Sequence, residues 1–205
     1  AGITLTAYDK AGQELEVPLN PFALNVAAGK QTAGLGAEIF GVTDTVERAA
    51  WIEAESDQLV GSFFTFGSPD LRMLDGAVTQ SSPARKLFLT TPQASGVLPK
   101  YGEDEAISIA LINPFDSWVR ADLSLVRRGE VIGETERVIP AKGMLLETGM
   151  ELFGEDNIPV ECYMEVETTA GSGIIGFSRV DFPESGTTFG LNAWAPSSAE
   201  TLYSA

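Results

Sequence analysis

Histidine is absent from this 205-residue chain, and the absence excludes more chemistry than any residue present admits. It removes the usual general base of serine and cysteine hydrolases, the commonest transition-metal ligand and most proton shuttles near neutral pH. Cysteine is nearly absent too, with Cys162 alone. One thiol forms no intramolecular disulfide, and without histidine it cannot assemble the sulfur and nitrogen ligand sets of zinc. Cys162 stands beside the apolar face of a predicted strand, which reads as a buried thiol rather than a nucleophile. Basic residues are scarce, 13 Lys and Arg against 29 Asp and Glu, giving a formal charge of −16. That charge repels phosphate backbones and anionic bilayers, so neither nucleic acid nor membrane is an expected partner. No apolar run approaches the roughly 20 residues of a membrane span. No secretion signal is read at Ala1, and export would require one that has been removed or lies outside this chain.

What is present is a duplication. Trp51-Ile52-Glu53-Ala54-Glu55 returns as Tyr163-Met164-Glu165-Val166-Glu167, and neighbouring stretches align at a spacing of about 115 residues, longer than solenoid periods. Leu5-Thr6-Ala7-Tyr8 with Gly12 matches Leu123-Ser124-Leu125-Val126 with Gly129, each a strand entering a turn. Val26-Ala27-Ala28-Gly29 matches Ile139-Pro140-Ala141-Lys142-Gly143, and Val60-Gly61 matches Ile175-Gly176. Ala84-Arg85-Lys86-Leu87-Phe88 matches Ala199-Glu200-Thr201-Leu202-Tyr203. Ala37-Glu38-Ile39-Phe40-Gly41 and Met150-Glu151-Leu152-Phe153-Gly154 predict one short helix per copy. Thr148 and Glu151 have capping-box spacing, and Gly41 and Gly154 suit the left-handed closing position.

Hydrophobic residues make up 44% of the chain and charged residues 20%, enough to fill a core. Short segments alternate with period two, as in Ala121-Asp122-Leu123-Ser124-Leu125-Val126, and turns such as Asp75-Gly76 and Glu184-Ser185-Gly186 separate them. The pattern predicts an all-β protein of two tandem antiparallel β-sandwich-like units, each with one short helix. The first unit is expected over residues 1–95 and the second over 96–205.

The strand Ala106–Ile112, closed by Asn113-Pro114, has no counterpart upstream. Asn20-Pro21-Phe22 echoes Asn113-Pro114-Phe115, but that register breaks every other match, so the echo is read as a turn coincidence. A unit without its opening strand lacks it, borrows it, or belongs to a longer array. An unfilled sheet edge invites a strand from another subunit.

The candidate surface is the aromatic and carboxylate face written in both copies. Residues two apart on a strand share a face, so Trp51, Glu53 and Glu55 project together, as do Tyr163, Glu165 and Glu167. A ring beside acceptor groups suits the apolar face and hydroxyls of a pyranose. Two carboxylates on adjacent same-face positions also fall within glycosidase separations, which leaves Glu165 and Glu167 as the one enzymatic reading. The plainer alternative is a strand with one wet face whose aromatic packs across to a neighbour. Trp118, after Asn113-Pro114-Phe115-Asp116-Ser117, is a candidate contact residue at a loop tip or a cap on the sandwich end, and Trp194 shares the ambiguity.

Gly171-Ser172-Gly173-Ile174-Ile175-Gly176 has dinucleotide-turn spacing, but an alternating, proline-ended run follows it where a helix is required, so a hairpin turn is expected. Glu103-Asp104-Glu105, Glu155-Asp156-Asn157 and Asp181 offer carboxylates to calcium without the spacing of a calcium loop, and they read as solvated turns. No cofactor and no bound metal are expected.

Ile109-Ala110-Leu111-Ile112-Asn113-Pro114, Ala121-Asp122-Leu123-Ser124-Leu125, Gly129, Ile139-Pro140-Ala141-Lys142-Gly143, Leu152-Phe153 and Gly176, in that order, resemble a β-sandwich module repeated in large bacterial secreted and cell-surface proteins. The resemblance covers most of the second copy and the later part of the first. It implies an extracellular spacer, adhesive or accessory module with no catalytic residues to carry over. The expectation is therefore a non-enzymatic extracellular or cell-surface protein, structural or adhesive. Its partners would be copies of itself or neighbouring surface proteins, with strand complementation as a route to fibres. The alternative is a carbohydrate-binding module using the Trp51 and Tyr163 faces.

Overall fold

The structure is a computed structural model that describes residues 1–42, 49–67, 74–90, 106–154, 162–182 and 187–196. The first part of the chain supplies β1 (Gly2–Tyr8), β2 (Phe22–Asn25), helix α1 (Gly36–Phe40), β3 (Trp51–Ser56), β4 (Phe63–Gly67), β5 (Leu74–Val78) and β6 (Lys86–Thr90). There follow β7 (Ala106–Ile112), β8 (Val119–Arg127), β9 (Glu130–Ile139), β10 (Met144–Thr148) and helix α2 (Gly149–Phe153). Strands β11 (Cys162–Ala170), β12 (Ile175–Phe182) and β13 (Thr187–Asn192) close the described chain. The class is all-β, and every sheet is antiparallel.

Two four-stranded sheets, β10-β7-β12-β13 and β6-β11-β8-β9, face each other across one core. Alternation builds that core directly: Val119, Ala121, Leu123 and Leu125 of β8 point inward beside Met164 and Val166 of β11, all buried. Ile109 and Leu111 of β7 meet them from the opposite sheet. At the far end of β9, Arg137 grips Glu147 of β10 through Nε at 3.2 and 2.9 Å and donates to the Glu151 carbonyl of α2. The β8–β9 turn sits on Arg128 and Gly129, both at positive φ, the backbone a tight two-residue hairpin requires.

The helices match their expected positions. In α2 the Thr148 amide donates to the Glu151 carboxylate at 2.6 Å while the Glu151 amide donates to Thr148 Oγ1, and Gly154 closes the helix at φ 72°. Leu35 precedes α1 and has no capping hydroxyl, so only half of that device exists there: its amide donates to the Glu38 carboxylate.

In the first part of the chain the sheet order is β2-β1-β3. Leu5 faces Ala54 and Ala7 faces Ile52, the same pairing by which Leu123 faces Val166 and Leu125 faces Met164. A cluster of Ala7, Leu15 and Phe40, flanked by Leu5, Val17, Phe22, Ile39 and Ala49, covers one end of this sheet. The described residues stack no second sheet on it. The β4–β5 hairpin, whose sequence counterpart lies at β12–β13, instead adjoins β13: Gly190 donates its amide to Asp75 Oδ2 at 2.8 Å and Asn192 donates to the Val78 carbonyl at 2.9 Å. Gln80 reinforces the seam by donating to the Gly176 carbonyl at 2.7 Å.

Sheet membership also cuts across the sequence division at residue 95. Strand β6 precedes that boundary, yet it is hydrogen-bonded to β11 in the register Tyr163↔Thr90 to Glu167↔Lys86. Leu87 and Leu89 are buried in the second core. The reason is edge pairing: β11 has an exposed side opposite β8, and β6 is the strand that satisfies its amides and carbonyls.

Candidate functional site

Strands β1 and β3 place Tyr8, Trp51 and Glu53 on one face of the first sheet, since Tyr8 is the cross-strand partner of Trp51 and Glu53 lies two residues on. The Tyr8 and Trp51 rings stack with centroids 4.7 Å apart and planes 16° apart. Tyr8 donates its hydroxyl to Glu53 Oε2 at 3.1 Å. Onto this face comes the turn between β9 and β10. Trp51 Nε1 donates to the Lys142 carbonyl at 2.8 Å, and Lys142 Nζ reaches both oxygens of Glu53, at 2.9 and 3.0 Å. The ammonium also lies 5.8 Å from the centre of the Tyr8 ring. Burial and the adjacent Glu53 carboxylate push the Tyr8 phenol far above its ordinary range.

Two main-chain features fit the turn to the sheet. Lys142 adopts φ 53°, which turns its side chain and carbonyl toward Glu53 and Trp51. Gly12, at φ 85°, lies so close to the turn that a Cβ there would stand 2.0 Å from the Ala141 carbonyl oxygen. The Met144 amide adds a bond to the Lys10 carbonyl at 3.0 Å. Together these contacts turn the predicted surface face into a joint between the first sheet and the second core. Trp51 and Glu53 are brought together there, and Glu55, on the same face, is exposed.

The second copy of the pattern has a different neighbour. Tyr163 tilts against Phe88 with centroids 5.9 Å apart, and Phe88 packs in turn on Trp194 at 5.6 Å. Lys86 pairs with Glu165. The hydrogen bond to that carboxylate raises the Lys86 pKa against the opposing effect of burial. Glu167 lies across from Lys86 and is exposed. Chemically, both faces set aromatic rings beside a carboxylate whose charge is met by lysine, but only on the first does a ring hydroxyl bond the carboxylate, and on the second Lys86 lies over the Phe88 ring. Each holds two chain segments together, and Glu53 accepts from both Lys142 and Tyr8. Trp118 is 53% exposed and follows the exposed Phe115 and Asp116, whose carboxylate lies 3.9 Å from Lys142 Nζ.

Asparagine does work that the sequence reading passed over. Asn113, wholly buried, donates to the Ser117 and Pro140 carbonyls at 2.7 and 2.8 Å and accepts from the Phe115 amide, so it braces the base of the Lys142 turn. Asn20 performs the same service on the first sheet, donating to the Ala7 and Leu15 carbonyls and accepting from the Ala7 amide. The Asn-Pro-Phe echo was the available signal: the two sites are not register equivalents, but each ties a loop to a strand.

Gly171-Ser172-Gly173 is a turn, with Gly171 at φ 89°, and no helix begins there. It is not a hairpin, because β11 and β12 pair into opposite sheets. Ala84, bridged to Ile174, packs against Gly173 and leaves no room for a Cβ. Glu103-Asp104-Glu105 and Glu155-Asp156-Asn157 lie outside the described residues, as does the side chain of Asp181. Among the described residues, no three His, Cys, Asp or Glu side chains gather as a metal site, and no helix is long and apolar enough to cross a membrane. Cys162 is buried in the second core.

Fold and site together define an all-β protein whose most elaborate side-chain cluster is a joint between sheets. Comparison with known protein families, with functionally described proteins and with solved structures finds no match to this chain.

Proposed function

We propose that this chain is a non-enzymatic structural or adhesive protein of the cell exterior, built from two tandem units, that acts by adding strands to neighbouring protein chains. The observation that carries the reading is a pair of equivalent edges in unequal states. The Asp57 amide donates to the Gly2 carbonyl, which sets the alternation along β3: Glu53 and Glu55 direct their main chain toward β1, while Ile52, Ala54 and Ser56 direct theirs away. No described residue bonds to that outer side. On β11 the Thr168 amide donates to Arg85, so Met164, Val166 and Thr168 point at β6, which fills the edge.

Burial follows the same contrast. Met164 is 0% exposed and its counterpart Ile52 is 47% exposed; Ala54 is exposed where Val166 is buried. An open edge beside an uncovered apolar face is the template for β-augmentation, in which main-chain hydrogen bonds supply affinity and alternate side chains supply register. The placement outside the cell rests on the resemblance to repeated surface modules. Light scattering across a concentration series tests the reading: mass should climb above 21.8 kDa as concentration rises. A mass that stays at the monomer value throughout would reject strand addition.

A further inference from the structure

We infer that the open edge of β3 selects a cationic strand: an extended segment of a neighbouring protein that sets a lysine opposite Glu55, an aromatic residue opposite Glu53 and aliphatic residues opposite Ala54 and Ile52. This rests on the strand-addition reading and names the chemistry of the strand received. Strand β6 supplies the pattern, because it lies on the equivalent edge. It sets Lys86 opposite Glu167, Leu87 opposite Val166, Phe88 opposite Glu165 and Leu89 opposite Met164. Both sides of the sheet are satisfied at once. Leu87 and Leu89 close the second core, while on the outer face Lys86 pairs with Glu165 and lies 5.5 Å from the centre of the Phe88 ring.

The pattern carries over residue by residue. Ala54 and Ile52 face Leu5 and Ala7 as Val166 and Met164 face Leu123 and Leu125, so Glu55 stands where Glu167 does and Glu53 where Glu165 does. Main-chain groups of Ile52, Ala54 and Ser56 point outward like those of Met164, Val166 and Thr168, and an antiparallel strand can take the register of β6. Ile52 and Ala54 are exposed on the apolar side, which calls for aliphatic residues at the positions of Leu89 and Leu87.

Charge decides the other side. Glu53 is already met by Lys142, but Glu55 is exposed and has no cation beside it among the described residues. Asp57 adds a second carboxylate two residues on, where one oxygen accepts the Gly2 amide. A lysine opposite Glu55 supplies the missing countercharge, and an acid in that place meets a like charge directly across the ladder. The formal charge of −16 draws a cationic segment toward this edge over a longer range.

The probe is a synthetic peptide of residues 83–90 of this chain, titrated calorimetrically into the full chain at low protein concentration. The peptide should bind, and the same peptide carrying Lys86→Glu should bind about tenfold more weakly, the change expected when an opposite-charge cross-strand pair becomes a like-charge one. Glu55→Lys in the full chain should reverse that order. The reversal places the peptide at β3, since a peptide that displaced β6 from β11 would not sense Glu55. Equal binding of both peptides to both chains, abolished by Ala54→Pro, would overturn the selection for charge and leave strand addition at β3 intact. Ser56→Pro, at the end of the same edge, replaces Ala54→Pro if that variant does not fold. Binding of neither peptide, or binding that Glu55→Lys and the proline variant both leave unchanged, would overturn strand addition at β3 as well.

Discussion

Lys142 Nζ lies 2.9 Å from Glu53 Oε1, an ion pair between residues 89 apart in sequence, with about four-fifths of each side chain out of solvent. Removing the ammonium leaves Glu53 with the Tyr8 hydroxyl and no countercharge. Lys142→Met should therefore lower unfolding free energy by roughly 1.5–3 kcal/mol, the range for hydrogen bonds to charged groups. Urea denaturation gives the loss, and the tryptophan emission should shift red as the Trp51 contact loosens. Glu53→Gln added to Lys142→Met should cost little more, because the pair acts as a unit.

Two glycines with nearly the same backbone separate conformation from contact. Gly12 and Gly129 have φ of 85° and 83°, but an added Cβ meets Ala141 at Gly12 and nothing within 4 Å at Gly129. Gly129→Ala should cost only the left-handed penalty of about 1–2 kcal/mol. Gly12→Ala should cost clearly more, because the first sheet must retreat from the Lys142 turn. Thermal unfolding of the two variants side by side measures the difference, and equal losses would mean that the turn yields without resistance.

Ile52 and Met164 hold equivalent sequence positions with opposite burial, 47% against 0% exposed. Met164→Ala removes a fully packed side chain and should cost about 2–5 kcal/mol. Ile52→Ala in the monomer should change stability by less than about 1 kcal/mol, as expected of a side chain still half in water. Chemical denaturation at low protein concentration is the check.

Stability should fall at alkaline pH. The Tyr8 and Lys86 pKa values are both raised in the folded chain, Tyr8 mainly by burial and Lys86 by its bond to Glu165. A raised folded value means that the stabilisation is complete below the unfolded pKa and is lost as pH climbs toward the folded one. Melting temperature should hold steady up to about pH 9 and decline above about pH 10. Tyr8→Phe should shallow the decline, and phenolate absorbance should show one tyrosine ionising late.

Local pattern made some of this architecture legible. Period-two alternation located β8 and β11, and the Thr148–Glu151 spacing with Gly154 located α2, because each signal lies within a few residues of the structure it specifies. The grouping of Trp51 with Glu53, and of Tyr163 with Glu165, followed from strand geometry in the same way. What covers those faces did not, since Lys142 arrives from 89 residues away and β6 from across the presumed unit boundary. Gly171 shows the same limit: glycines announce a turn, but whether β12 pairs with β11 or crosses to the other sheet depends on edges elsewhere. Asn113 was visible only as part of a turn, because its value comes from the carbonyls of Ser117 and Pro140 that the folded loops bring to it.

The pairing of β6 with β11 also orders events in time. During synthesis, residues 86–90 emerge well before 162–170, so the earlier strand must wait, with Leu87 and Leu89 uncovered, until its partner is made. The first half of the chain therefore cannot complete its burial when it leaves the ribosome, and the second half released by itself would leave the β11 edge unpaired. Proteolysis between them should leave two fragments that remain associated, and neither fragment should refold to the same sheet without the other.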